Sequence, residues 1–158
     1  SVYGPHDVSD ANRVFAWCRR FKRGWVPHWL PDGGKLVLNV VYGEDVAQGI
    51  LLAMHRGEPG EGYILGGENI SIRDLLERIG RLAGDTRPFR SFPVAPLAPL
   101  ALLCEGAARM TRTRPLLRSG LVRSLRSAWA FSSEKAQRDL DYTVTPLDEG
   151  LKATFESA

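Results

Sequence analysis

The sequence NVVYGEDVA at positions 39–47 decides the fold, because it joins a strand directly to a helix. Upstream, positions 35–42 are β-branched and apolar, as is typical of a buried strand. Downstream, apolar side chains recur at i, i+1, i+4, i+5 and i+8. This spacing predicts a helix from Glu44 to about His55 with one buried face, formed by Val46, Ala47, Ile50, Leu51 and Met54.

The same periodicities predict elements on both sides of this junction. Strands are expected at Val2-Tyr3 and at Tyr63 to Leu65, and an amphipathic helix from Asn12 to Phe21. The clearest helical pattern runs from Ile72 to Leu82, with Ser71 as its N-cap and Gly84 just past its end. Beyond Pro88 the pattern becomes mostly helical, over 96–110, 116–129, 133–140 and a last helix that Thr145 is expected to cap.

Composition indicates one domain that can bury a core, since the chain has 158 residues and 44% of them are hydrophobic. The excess of 21 basic over 18 acidic residues is too small to indicate an acidic partner. Cys18 and Cys104 lack a zinc or redox spacing, which predicts reduced thiols in a cytoplasmic protein. The most apolar run, 94–104, falls well short of the about 20 residues that span a bilayer. The histidines are too scattered to predict a metal site.

The N-terminus reads VYGPHD at positions 2–7, a strand that stops at a Gly-Pro pair. A mature protein rarely begins at a strand-to-loop junction. We therefore expect Ser1 to be a cut within a larger enzyme.

Four motifs in this order resemble the C-terminal half of the extended short-chain dehydrogenase/reductases. Positions 2–7 are similar to the family's V-Y-G-P-x-D, positions 39–47 to its N-x-V-H/Y-V-x-D-V-A, and positions 60–71 to its G-x-x-Y-x-L-G-G-x-x-x-S. The segment 132–151 is similar to its S-x-K-A…L-G-Y-x-P…E-G-L ending. This family includes NAD-dependent epimerases and dehydratases, dihydroflavonol reductases and 3β-hydroxysteroid dehydrogenases. Positions 85–130 are the one stretch of the sequence that matches the family only loosely.

The resemblance implies an α/β fold: one substrate-binding domain over 1–158, with few short strands and several helices, from an extended Rossmann-type reductase. In the family the N-terminal half carries the glycine-rich coenzyme fingerprint and a Tyr-x-x-x-Lys pair for proton transfer. Neither motif occurs in this sequence. We therefore expect NAD or NADP in a full-length parent, no coenzyme bound by this chain alone, no catalytic residue here, and the missing N-terminal dinucleotide-binding half as partner.

The resemblance also suggests site residues. It places Val2 and Tyr3 beside the coenzyme and Asp7 near the substrate, the alternative for Tyr3 being a buried strand end. His28 and Trp29 could line the substrate pocket, since an aromatic wall with one polar tip suits a flat apolar ligand.

Two purely structural interpretations compete with a functional role for residues in these motifs. Trp25 and Trp29 could simply cover a small core. Asp45 opens an apolar-striped helix, which favours a cap or a helix-dipole partner over a catalytic carboxylate.

Two departures from the family bear on the substrate. Nucleotide-sugar epimerases often have a diphosphate-binding arginine at the position of Leu38, and Gly43 stands where the family usually has valine. The stretch 93–103, followed by 112–117, looks closer to the dihydroflavonol-reductase and steroid-dehydrogenase branches. The sequence therefore favours an apolar or aromatic carbonyl or alcohol substrate over a nucleotide sugar.

A rival function rests on a basic stretch that contains Arg109, Arg112, Arg114, Arg118, Arg123 and Arg126. Such a stretch could serve a stand-alone ligand-binding module or a peripheral contact with an anionic membrane. No aromatic residue lies within it to stack on bases, so nucleic acid is not expected. Self-association is also expected, through apolar surface at Ser1 and at the strand from Tyr63 to Leu65.

Overall fold

The computed structural model describes residues 1–5, 13–96 and 129–158, with the positions 99, 101, 103–106 and 108. The described elements confirm the α/β class, with several helices and few short strands. Asp7 and the basic stretch from Arg109 to Arg126 lie outside the described residues.

The described chain contains five strands and five α-helices in mixed order. The strands are β1 (Val2–Tyr3), β2 (Trp29–Pro31), β3 (Val37–Tyr42), β4 (Glu68–Ser71) and β5 (Arg90–Phe92). The helices are α1 (Arg13–Lys22), α2 (Gly43–Arg56), α3 (Ile72–Leu82), α4 (Glu134–Leu140) and α5 (Leu147–Ser157). A 3-10 turn, Asp32–Gly34, follows β2, and the positions described between 99 and 108 are helical.

Strand β3 is the centre of a three-stranded sheet. It pairs parallel with β1 and antiparallel with β4, while β2 and β5 form a separate parallel pair. Trp129 makes an isolated bridge to Leu38, with backbone hydrogen bonds to Val37 and Asn39. The helix predicted over 116–129 is therefore wrong at its last residue, because that backbone pairs with β3.

Two clusters of buried side chains hold the fold together. The larger cluster joins α1, α3 and α5 to the three-stranded sheet, through residues such as Cys18, Leu76 and Leu151. Burial raises the pKa of the Cys18 thiol to about 12, and both cysteines are free. The smaller cluster joins α2 and α4 around Leu140 and Tyr142.

The buried face predicted for α2 is wrong. Ile50, Leu51 and Met54 are exposed, and the buried residues of the helix are Asp45 and Gly49, on its opposite side. Gly49 has no side chain, so Leu65 and Tyr142 approach the helix backbone there. Close approach at a glycine, rather than apolar periodicity, decides which face is covered.

The strand predicted for Tyr63 to Leu65 is also absent. No strand runs alongside it in the described part of the chain, so its backbone has no ladder to join. Tyr63 and Leu65 instead pack against the smaller buried cluster.

Helix ends agree with the sequence where the signal is local. The Ser71 hydroxyl accepts from the backbone N–H of Asp74 at 3.1 Å, and Gly84 has the left-handed φ of +72° just past α3. The expected cap at Thr145 is wrong: α5 has no side-chain cap, and the Thr145 hydroxyl donates to Asp45.

Candidate functional site

An open cleft of about 840 Å³ lies between the 3-10 turn, the start of α3 and the end of β5. Eight residues line it: Asp32, Gly33, Gly34, Lys35, Ser71, Arg73, Ser91 and Pro93. None of them is among the site residues predicted from the sequence. The parallel pairing of Pro31 with Phe92 brings the turn after β2 beside the end of β5, which forms one wall.

The backbone of the turn Asp32–Gly34 is left-handed, a conformation that favours glycine and is tolerated by aspartate. All three residues have positive φ, at 46°, 70° and 73°. A Cβ on Gly34 would lie 2.8 Å from Leu30 Cδ1 and 3.0 Å from the backbone N of Arg73. The side chain of Asp32 accepts a hydrogen bond from Val94 N–H at 2.9 Å, which ties the turn to the segment after β5.

Arg73 holds the floor of the cleft in place. Its Nε donates to the carbonyl of Gly33 at 2.7 Å and its Nη1 to the carbonyl of Phe89 at 3.3 Å. It also lies 3.5 Å from Glu77 Oε1, one helical turn further on. The guanidinium is therefore fixed before any ligand arrives, which lowers the entropic cost of using its remaining donors.

The cleft has a net cationic lining. Lys35 is exposed at its edge, and among the described residues no carboxylate lies within ion-pair distance of its ammonium group. Asp32 already uses one carboxylate oxygen on Val94. Together with the hydroxyl of Ser91, this lining suits a ligand rich in oxygen acceptors, such as a carbonyl, carboxylate or phosphate.

His28 and Trp29 lie outside the residues that line the cleft. The imidazole of His28 stacks on Phe89 with ring centres 5.0 Å apart, its Nδ1 is 2.9 Å from the carbonyl of Val26, and its Nε2 is 3.2 Å from Asp85 Oδ2. Trp29 is exposed, with the guanidinium of Arg90 5.6 Å from its ring centre. Trp25 is also exposed, so the two tryptophans do not cover a core.

Asp85 links this histidine to a guanidinium. Arg87 donates to both carboxylate oxygens, at 2.9 and 2.8 Å, and its backbone N–H donates to Oδ1 at 3.1 Å. These hydrogen bonds hold the pKa of Asp85 well below its usual range, with a smaller contribution from the nearby His28.

Val2 and Tyr3 lie on β1, away from the cleft. Tyr3 is buried in the larger cluster, with its ring 5.7 Å from that of Tyr42, and burial raises the pKa of its hydroxyl. A Cβ on Gly150 would lie 2.4 Å from the Tyr3 hydroxyl oxygen, so the ring points into α5. Val2 is exposed. A coenzyme could therefore meet Val2 and the backbone of β1, and the assignment of this strand to the coenzyme stays a prediction.

A dinucleotide pyrophosphate site is not favoured at the N-termini of four of the five described α-helices, α2, α3, α4 and α5. Such a site uses the positive end of a helix dipole and free backbone N–H groups. Each of α2, α3, α4 and α5 has a carboxylate in its first turn, and at α3 the N-terminal N–H is capped by Ser71. These carboxylates repel a second anion at α2, α3, α4 and α5, whereas α1 has no acidic residue in its first turn.

Metal clusters and membrane-spanning helices are both absent from the described residues. No group of three or more His, Cys, Asp or Glu side chains is arranged to hold a metal ion. No helix in that part of the chain has the length and apolar character needed to cross a membrane.

The missed residues carry only weak sequence signals. Positions 32–34 have the composition of a turn, and nothing in the sequence shows that Arg73, 40 residues after Gly33, binds the carbonyl of Gly33. Only the path of the chain brings β5 and the start of α3 to the same turn.

Solved structures establish the class of the fold. Over 99% of its length the chain matches 46% of the gox2253 chain, with a TM-score of 0.82 and 30% identity. It matches 42% of the Bordetella bronchiseptica enzyme WbmF in complex with NAD⁺, with a TM-score of 0.66 and 24% identity. The fold is that of one part of a Rossmann-type epimerase or reductase.

Curated relatives agree with this class. A Synechocystis protein named "Putative dihydroflavonol 4-reductase" is 37% identical over 79 residues, 48% of this chain and 22% of that protein. Sterol demethylase protein B of Methylococcus capsulatus is 31% identical over 116 residues, 72% of this chain and 34% of that protein. No model of a known protein family matches the chain.

These matches confirm the resemblance to the C-terminal half of an extended short-chain dehydrogenase/reductase. The chain spans about a third or less of the curated relatives and less than half of the solved structures.

Proposed function

We propose that this chain is the substrate-binding part of an NAD(P)-dependent oxidoreductase or epimerase that acts on a carbonyl or alcohol group. The observation that carries the proposal is the match of nearly the whole chain to less than half of gox2253. A chain that matches part of a larger enzyme, and whose described residues form an open cleft, fits the substrate-binding part of that enzyme. By itself the chain is expected to be inactive.

The coenzyme-binding part is proposed to be the N-terminal dinucleotide-binding half that the resemblance implies. The first-turn carboxylates of α2 to α5 support this division of labour, because they leave these four helices unsuited to a pyrophosphate. NAD(P) would then supply the hydride chemistry from the other half, and this chain would bind and orient the substrate.

The proposed substrate is a small carbonyl or alcohol rather than a nucleotide sugar. Leu38, at the position where epimerases often have arginine, pairs with Ile70 and Trp129 and packs against the larger buried cluster. An apolar side chain held between two strands gives nothing to a diphosphate. Lys35 and Arg73 nevertheless favour a substrate that also carries an anionic or oxygen-rich group.

The second candidate is a stand-alone binding module for a small anion. The observation that favours it is the cationic lining of the cleft, where Arg73 is held by the carbonyl groups of Gly33 and Phe89 and Lys35 is exposed at the edge. Such a module would bind its ligand without any partner. Its affinity would fall with salt and with the loss of the Lys35 charge.

The test joins the part of gox2253 outside the match to the N-terminus of this chain, here called the joined protein. We expect NADH or NADPH fluorescence to change with the joined protein and to stay unchanged with the chain alone. The joined protein should then reduce members of a panel of aromatic and aliphatic ketones, and Lys35→Gln should lower kcat/KM without changing coenzyme binding. Lys152→Gln, far along α5, is the matched control.

Three results would count against the substrate-half proposal. The first is coenzyme binding by the chain alone. The second is a folded joined protein that binds coenzyme but converts no carbonyl. The third, tight binding of an anion by the chain alone, would favour the stand-alone module.

A further inference from the structure

Two tryptophans in the segment between α1 and β2 point into solvent on the same side. Trp25 is 83% exposed and Trp29 55% exposed, whereas Val26 and Leu30 are buried. Pro27, between the tryptophans, is exposed as well. This alternation is that of an extended chain with one outer and one inner side, on which the two tryptophans lie about 13 Å apart.

A second segment runs beside the first and extends its outer side. Trp29 pairs with Arg90 in the parallel ladder of β2 and β5, and the backbone N–H of Arg90 donates to the carbonyl of His28 at 2.7 Å. One residue earlier, the rings of His28 and Phe89 stack on the inner side. Pro88 and Arg90 are exposed. The outer side of the two segments, here called the tryptophan surface, consists of Trp25, Pro27, Trp29, Pro88 and Arg90.

The C-terminal end of α1 adds positive charge at the edge of the tryptophan surface. The backbone N–H of Trp25 donates to the carbonyl of Arg20 at 3.0 Å, so the surface begins at the last turn of this helix. The exposed cations there are Arg19, Arg20, Lys22 and Arg23. Positions 19–29 and 86–90 contain no acidic residue. The surface therefore combines large apolar rings with a local excess of positive charge.

Three of these arginines are available to an outside anion. Among the described residues, no carboxylate lies within ion-pair distance of Arg20, Arg23 or Arg90. Asp85, which precedes the second segment, already accepts hydrogen bonds from Arg87 through both carboxylate oxygens. Charge complementarity therefore favours an anionic partner for this surface.

The arrangement of the rings favours a lipid surface over a nucleic acid. The guanidinium of Arg90 lies over the ring of Trp29 at 5.6 Å, and that of Arg20 over the ring of Trp17 at 5.0 Å. A base that stacks on either of these ring faces has to displace a guanidinium. A membrane uses the apolar edge of the tryptophan ring at the level of the headgroups and the arginines against anionic lipids, so it needs no free ring face.

We propose that the tryptophan surface and the cations at the end of α1 dock this protein on the surface of an anionic lipid membrane. Trp25 and Trp29 enter the headgroup region, and Arg20, Arg23 and Arg90 bind the anionic headgroups. The inference is independent of the proposed function, because it uses no residue that lines the cleft.

The experiment measures sedimentation of the chain, and of the joined protein, with lipid vesicles. The vesicles contain phosphatidylcholine alone or with about 30% phosphatidylserine. We expect both proteins to bind the anionic vesicles at least roughly tenfold more tightly than the neutral ones, with an affinity that falls as salt is added. Tryptophan emission should shift to shorter wavelengths, and lipids with brominated chains should quench it.

The variants separate this surface from the rest of the molecule. Trp25→Ala should lower the affinity for anionic vesicles roughly tenfold, and Arg23→Gln roughly fivefold. Arg138→Gln removes an exposed cation on α4, and Leu51→Gln an exposed apolar residue on α2, and both controls should bind like the wild type. Circular dichroism checks the folding of each variant, and Trp29→Ala replaces Trp25→Ala if the latter does not fold.

Four results would overturn the inference. The first is equal affinity for neutral and anionic vesicles, and the second is unchanged binding by Trp25→Ala and Trp29→Ala. The third is binding by the chain but not by the joined protein, which would assign the surface to the other half of the enzyme. The fourth is tighter binding to a single-stranded oligonucleotide than to the vesicles, which would assign it to a nucleic acid.

The result for the membrane is distinguishable from the result for the proposed function. A joined protein that reduces ketones but does not bind vesicles contradicts the docking alone. A joined protein that binds anionic vesicles through Trp25 but converts no carbonyl contradicts the proposed function alone.

Discussion

At the scale of single residues, Asp45 shows how a motif residue can be structural. Its carboxylate accepts hydrogen bonds from the backbone N–H of Thr145 at 2.8 Å and from its hydroxyl at 2.6 Å. It is buried in the first turn of α2, where a negative charge also suits the helix dipole. The expectation of a dipole partner rather than a catalyst agrees with this geometry, and the contact fastens the start of α5 to α2.

We expect Asp45→Ala to lower the free energy of unfolding by about 1.5–3 kcal/mol, because it removes two hydrogen bonds to a charged acceptor. Asp148→Ala is the matched control, since Asp148 also occupies a first turn but has an exposed side chain. Its cost should stay below about 1 kcal/mol. Urea unfolding followed by circular dichroism measures both, and equal losses would contradict the structural role of Asp45.

Asp85 makes stability depend on pH in the acidic range. Hydrogen bonds from Arg87 lower its pKa in the folded state below the value of about 3.9 of an unfolded chain. The resulting stabilisation is complete above the unfolded pKa and is lost as the pH falls through the folded pKa.

Arg87→Gln should therefore destabilise the protein at neutral pH, and its difference from the wild type should shrink as the pH falls below about 4. Arg81→Gln, an exposed arginine on α3, is the control and should give a difference that does not vary with pH. The measurement is the free energy of unfolding in urea across the acidic range. A constant gap for Arg87→Gln would show that the pairing with Asp85 contributes nothing.

At the scale of elements, local signals predict where helices and strands lie and fail to predict which face is buried. The capping of α3 by Ser71 depends on residues within one turn, and the structure confirms it. Burial of α2 depends on Leu65 and Tyr142, which reach its Gly49 side from distant parts of the sequence. An apolar stripe identifies an amphipathic helix but not the partner that covers it.

The contact of α2 with Leu65 gives a test at this scale. Gly49→Ala should gain up to about 1 kcal/mol of helix propensity, but its Cβ would lie 2.7 Å from Leu65 Cδ2. We expect overpacking to dominate, with a net loss of roughly 1–3 kcal/mol. In a Leu65→Ala background most of this cost should disappear, since the methyl groups are gone. A double-mutant cycle by urea unfolding measures the coupling, and an equal cost in both backgrounds would refute it.

At the scale of the whole molecule, the exposed apolar surface predicts self-association when nothing covers it. The two stretches expected from the sequence each contribute one exposed apolar side chain to this surface, Val2 near Ser1 and Ile64 within 63–65. The outer face of α2, with Ile50, Leu51 and Met54, was not expected to be part of it.

Light scattering of the purified chain should give a mass above that of the monomer, rising with concentration. Leu51→Glu should weaken this association roughly tenfold, as expected when a charge replaces a buried leucine in an interface. Gln48→Glu should leave it unchanged. A monodisperse monomer over the whole concentration range would contradict self-association through the exposed apolar face of α2.

The sequence by itself determined the class of the protein, most of its helices and strands, the α3 cap and the absence of a glycine-rich fingerprint and a Tyr-x-x-x-Lys pair. These features follow from periodicity, capping and motif spacing, which act over a few residues. Only the tertiary structure decided that Arg73 forms the cleft with a turn 40 residues earlier, that Asp45 binds Thr145 100 residues later, and that α2 leaves its apolar face open. Those outcomes depend on how the path of the chain brings distant residues together. A local sequence pattern carries no information about such contacts, because their partners lie 40 to 100 residues away.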